Sequence, residues 1–148
     1  MTREELSPEV RRIVRQAGIT SAVIGVILSP IPLADEIVLL PVYGLMSSRI
    51  GEQHGLSKAE IPWRPIIWTT CAGLGARAAI NLTVSFIPGV AAVANAASAA
   101  ALTQLLGRYV DQACKNPADT RVLSMRDFAE QFRDMRAGVS VDRSEPTV

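Results

Sequence analysis

Apolar residues fall at helical spacing almost from the start of the chain: Val10, Ile13, Val14 and Ala17 share one side, and Arg11, Arg12 and Arg15 the other. Ser7 as N-cap, Pro8 in the first helical position and Glu9 near the positive end of the dipole predict where this helix begins. Beyond Arg15 the alternation stops, and "AGITSAVIGVILS" is apolar on every side until Pro30 and Pro32 end it. A second helix opens with Asp35 and Glu36, runs through "IVLLPVYGLMSSRIG", and closes at His54-Gly55, with Gly55 as a left-handed cap. Pro41 inside it predicts a kink or an irregular turn. After the polar connection 56–65, "IIWTTCAGLGARAAINLTVS" reads as a third apolar helix, and "VAAVANAASAAALTQLLGRYVDQAC" as an alanine-rich fourth. "KNPADT" breaks the pattern, and "SMRDFAEQFRDMR" then predicts an amphipathic helix capped by Ser124, with Phe128, Phe132 and Met135 along one face.

Ile31-Pro32 and Ile87-Pro88 interrupt two apolar stretches in the same way. Overlaying them aligns Ala22 with Ala78, Ile24 with Ile80, Ser29 with Ser85 and Gly51 with Gly107. A duplicated hairpin would give this pattern, and so would the common use of proline between antiparallel helices. Either way the expected fold is all-α: a compact bundle of two apolar helical hairpins with Ile-Pro turns, plus terminal amphipathic helices. The expected organisation is a tail at 1–6, the apolar module at 7–115, a connector and amphipathic helix at 116–136, and a mobile tail at 137–148.

Composition narrows the function classes. Hydrophobic residues are 49% of the chain but aromatics only 5%, so the apolar mass is aliphatic and much of it small. A net charge of +1, with no basic patch interleaved with aromatics, argues against nucleic acid. A charged N-terminus unlike a signal peptide, with two isolated cysteines, points to a reduced, cytoplasmic setting; Cys71 reads as core filler. The uncharged stretches Gln16–Ala34 and Ala78–Gly107 approach or exceed the roughly 20 residues of a membrane span. Each is cut by its Ile-Pro break into shorter pieces, which favours a compact module touching a bilayer over one crossing it.

"PIPLADEIVLLPVYGLMSSRIGEQHGL" and "GLGARAAINLTVSFIPGVAAVANAASAAALTQLLGRYV" together resemble the bacterial domain of unknown function numbered 697, over roughly residues 20–112. The carriers are Pro30-x-Pro32-x-x-Asp35, the "HGLS" helix end, the Ile87-Pro88-Gly89-Val90 turn, and the alanine-rich helix with Thr103 closing on Leu106-Gly107-Arg108. The resemblance implies an all-helical apolar module, often joined to small GTPase domains or predicted at membranes. It transfers no catalytic residue. This chain has no G-x-x-x-x-G-K-[ST] loop, so a GTPase would act in trans, as a separate partner.

Few residues invite chemistry. Asp35, Glu36 and Arg77 are charges set in apolar sequence, readable as a partner contact, as an ion-coupling pair inside a membrane, or as acids matching a helix N-terminus with Arg77 pairing with an acid or reaching solvent. Asp35 and Glu36 point about 100° apart on a helix and do not converge as an acid–base pair. His54, the single histidine, sits at a helix end, and neither a catalytic triad nor a metal site can be assembled around it. Trp63 and Trp68 flank Arg64 and suit either a membrane interface or the end of a bundle. The Phe128–Phe132–Met135 stripe either docks on a partner or lipid surface or folds back on the bundle.

No catalytic residue, cofactor site or metal ligand is therefore assigned. The expected function is a non-enzymatic helical interaction module, associated with the inner face of the cytoplasmic membrane and acting with a separate GTPase or other assembly. The alternative is a membrane-inserting or pore-forming protein. A lipid bilayer and a second copy of the chain are the other candidate partners.

Overall fold

The computed structural model describes residues 6–28, 34–84, 91–130 and 133. Helix α1 spans Pro8–Ile27, and the Ser7 hydroxyl caps it by accepting from the Val10 amide at 3.3 Å. Val10, Val14, Gly18, Ser21 and Gly25 form its buried stripe at the three-and-four spacing of one helix face. Helix α2, Ala34–Gln53, runs through Pro41, so no irregular turn forms there. The proline lies on the exposed side, opposite Leu39, Tyr43, Met46 and Ile50, whose burial holds the helix in place. Gly55 closes α2 at φ 74°, with the Leu56 amide returning to the Gly51 carbonyl at 3.0 Å, as the left-handed cap requires.

Helix α3 covers Trp63–Val84 and α4 covers Ala91–Lys115, followed by a 3-10 turn at Pro117–Asp119. The chain is helical again over residues 125–130. Ser124 and Asp127 cap that segment reciprocally: the Ser124 amide donates to Asp127 Oδ2 at 2.6 Å, and the Asp127 amide to Ser124 Oγ at 3.4 Å.

Close approaches between helices fix the register. A Cβ on Gly25 would meet the Asn95 backbone, and Gly107 faces Val14, so α1 and α4 run antiparallel along most of their lengths. Glu36 lies near Asn95 through Arg77, and His54 contacts Asp111, so α2 runs parallel to α4. Gly73 faces Leu102, which makes α3 antiparallel to α4. The order is up, down, up, down, an all-α bundle as expected. Helix α4 packs on each of the other three, most extensively on α1, whereas α2 and α3 meet only thinly.

The core lies along α4, where Ala99, Leu102, Leu106 and Val110 pack against Val10, Val14, Leu39 and Ile50. Phe128 is wholly buried against Gly73, so the start of the amphipathic C-terminal segment folds back on the bundle. Phe132, Met135 and both Ile-Pro turns lie outside the described residues. Cys71 is exposed and Cys114 buried, which corrects the reading of Cys71 as core filler. The inner face of α3 carries Ile66, Thr70, Leu74 and Arg77, and Cys71 falls off that stripe.

Candidate functional site

At the end of the bundle where α1 finishes and α2 and α4 begin, Arg77 is wholly buried. Its guanidinium gathers all four helices. From α3, Nη1 donates to Glu36 Oε1 of α2 at 2.6 Å, and Nε donates to Ser98 Oγ of α4 at 3.2 Å. Nη2 donates to the Asn95 carbonyl at 3.2 Å and also to the Asn95 side-chain oxygen. Asn95 Nδ2 in turn donates to the Gly25 carbonyl of α1 at 2.8 Å, completing the connection. Gly25 suits this approach, because a Cβ there would lie 3.2 Å from the Asn95 carbonyl oxygen, tighter than an ordinary contact. Buried charge is tolerated when it is paired, and the node pairs Arg77 with Glu36 and gives each guanidinium nitrogen an acceptor.

A second polar layer lies on the side of the node toward the middle of the bundle. Tyr43 is raised above its ordinary pKa of 10.0, chiefly by burial, against opposing effects of Thr103, Arg77 and Ser21. The Thr103 hydroxyl donates to the Ala99 carbonyl at 2.8 Å. Among the described residues the buried Ser21 and Tyr43 hydroxyls have no partner in hydrogen-bonding geometry.

The opposite end carries a separate ion group. His54 Nε2 lies 2.8 Å from Asp111 Oδ1, and Lys115 Nζ lies 3.0 Å from Asp111 Oδ2. These contacts tie the end of α2 to the last turns of α4. Nearby Cys114 has its thiol pKa pushed up to about 11, first by burial and then by the Asp111 charge, which disfavours a thiolate nucleophile. Among the described residues no group of three or more His, Cys, Asp or Glu side chains could hold a metal ion.

The sequence-derived candidates separate clearly. Arg77 and Glu36 are joined inside the bundle, while only the backbone of Asp35 is described, in the first turn of α2. Trp63 is half-buried against the core and its indole donates to the Lys58 carbonyl at 2.7 Å. Trp68, 65% exposed, stands on the outer face of α3. Phe128 is sealed inside. Asn95 and Ser98 are members of the node that sequence reasoning did not single out. Their signal was two polar side chains three apart in an otherwise alanine-rich run.

Outside the node, the same end is aliphatic. Ile19, Val23, Val26 and Ile27 are exposed on α1, and Ile37, Val38, Leu40 and Leu45 on α2. Exposed apolar residues are ordinary singly; the α1–α2 hairpin carries eight of them. No described helix is long and apolar enough to cross a membrane.

The chain matches no family model, no curated protein and no solved structure. None of these comparisons supports the resemblance of residues 20–112 to domain of unknown function 697, which rests on the sequence motifs alone.

Proposed function

We propose that this chain is a non-enzymatic helical interaction module that works at a membrane with a separate GTPase or other assembly. The observation that carries the reading is the exposed aliphatic face of the α1–α2 hairpin, backed by the Arg77 node. Function by packing needs a preformed surface and no convergent reactive groups. The polar side chains of the node are used up in joining helices, and His54 is committed to Asp111. A GTPase partner is supported by the family resemblance, and its supply in trans by the lack of a phosphate-binding loop. The pore-forming alternative needs helices that cross a bilayer, and the described helices do not offer one.

The test is cell fractionation and native sizing of the full chain beside a Val23→Asp/Ile37→Asp variant. Both positions are more than half exposed, so the variant keeps its helical spectrum. The native chain is expected in the membrane fraction within a larger assembly, and the variant as a free monomer. A native chain that is itself free and monomeric, or a variant that partitions identically, would overturn the proposal.

A further inference from the structure

The charges of the bundle are sorted along its axis. On α1 the outer stripe reads Arg15, Ile19, Val23, Ile27; on α2 it reads Arg49, Leu45, Pro41, Ile37. On α4, Arg108 and Gln104 give way to Ala97 and Val93. The interhelical register places the first arginine of each stripe at one height. Val14 lies against Gly107, setting Arg15 beside the Arg108 level. The offset between α2 and α4, set by His54–Asp111 at one end and Glu36 near Asn95 at the other, brings Arg49 to that level too. Arg11 and Arg12 follow one turn below. The exposed acids Glu9, Glu52 and Glu60 lie farther from the apolar end. None of the five arginines has an acidic partner within salt-bridge distance among the described residues.

Between this girdle and the end of α1 the charged residues of the hairpin are Asp35 and Glu36, both in the first turn of α2 at the very end of the hairpin; Glu36 is turned inward and joined to Arg77. From Gln16 to Ile27 the uncharged part of α1 rises about 18 Å. One leaflet contributes about 15 Å of hydrocarbon, and a full bilayer core about 30 Å. Trp68 supplies an independent marker. Gly73 against Leu102 sets the α3 register, and the exposed Trp68 then falls at the height of the arginines, where amphipathic rings sit at membrane boundaries. The C-terminal segment, with Arg126 and Glu130 exposed, lies over α3 near Gly73 and Gly75, so the α1–α2 side leads.

We infer that the apolar end of the α1–α2 hairpin enters a single leaflet of an anionic phospholipid membrane, to a depth set by the arginine girdle. Aliphatic side chains replace lipid contacts, and the guanidinium groups meet headgroup phosphates at the boundary, where planar bidentate donors are well matched. This rests on the reading of the hairpin as a docking surface and names what it docks on.

The experiment is vesicle co-sedimentation of the full chain with phosphatidylcholine alone and with added phosphatidylglycerol, at low and high salt. It is paired with tryptophan quenching by lipids brominated at different depths, in a Trp63→Phe background that leaves Trp68 as reporter. Binding to the phosphatidylglycerol vesicles is expected to be at least about tenfold tighter than to phosphatidylcholine and weakened by salt. Arg12→Gln/Arg15→Gln should lower it roughly tenfold or more, and Val23→Asp should remove it. Trp68 should be quenched most by bromine near the headgroups. Equal binding to both lipids, no effect of the arginine substitutions, or quenching deepest in the chains would overturn the girdle. A chain that ignores vesicles but forms a dimer broken by Val23→Asp would overturn the leaflet and leave the interaction module standing. A monomer that ignores vesicles overturns the leaflet, and with the fractionation result distinguishes the two failures.

Discussion

Replacing Glu36 by Gln asks what the Arg77 node is worth. Arg77 is wholly buried, the Glu36 side chain is 12% exposed, and their contact is 2.6 Å. Glutamine keeps the shape and one acceptor but removes the negative charge, leaving a guanidinium whose partners Ser98 and Asn95 are neutral. A hydrogen bond to a charged group contributes about 1.5–3 kcal/mol, and stranding a buried charge costs about 3–5 kcal/mol. Because an acceptor stays in place, Glu36→Gln should sit at the lower end, near 3 kcal/mol by these magnitudes. Removing both charges together, as Arg77→Met/Glu36→Leu, should cost clearly less than the two single replacements summed, with coupling of roughly 2 kcal/mol. Urea unfolding followed by far-ultraviolet circular dichroism measures this, provided the denaturant slope is unchanged. Single domains have about 5–15 kcal/mol to lose, so the variants remain folded. A loss below about 0.5 kcal/mol for Glu36→Gln, or strict additivity in the cycle, would refute the node as a coupled unit.

Two glycines of α1 should answer the same substitution with opposite signs. Gly25→Ala forces a methyl against the Asn95 backbone and should cost about 1–3 kcal/mol, whereas Gly18→Ala meets nothing within 4 Å and should gain about 0.5–1 kcal/mol, read as shifts in melting temperature. Thiol labelling of the native chain near neutral pH should modify Cys71 at once and Cys114 only after unfolding, since Cys114 is buried and its thiol is held up to about 11. The same shift, with the raised Tyr43 and Tyr109, means that the folded state binds these protons more tightly than the unfolded one. Stability should therefore be intact below about pH 9 and fall as pH rises from there toward 11, which alkaline urea titrations will follow. Phe128→Ala should cost about 3–5 kcal/mol and speed hydrogen exchange over residues 120–130 ahead of the four long helices.

Local signals served well at helix ends. Ser7, Pro8 and Gly55 act as their positions promised, because capping depends on a few neighbouring residues. Long-range partners were not legible in this way. Arg77 was readable as a charge in need of an acid, but Asn95 and Ser98 become its partners only once α3 and α4 are antiparallel and in register. His54 meets a carboxylate far along the chain, which no spacing rule connects. Cys71 was misplaced because α3 is apolar nearly all round, so its periodicity did not show which side faces inward. The apolar hairpin face shares that origin: a uniform aliphatic run predicts burial everywhere, and only packing reveals which side is left outside.

Helix α4 touches every other helix and contributes the largest share of the core, yet it is the last of the four in the chain. During synthesis α1, α2 and α3 therefore emerge before the element on which they close. The parts of their faces that pack on α4 have no partner until residues near Lys115 have been made, and the pairing of α1 with α4 joins elements far apart in the chain. Until α4 is complete these contacts of long sequence separation are unmade, and exposed aliphatic surface of this kind favours aggregation.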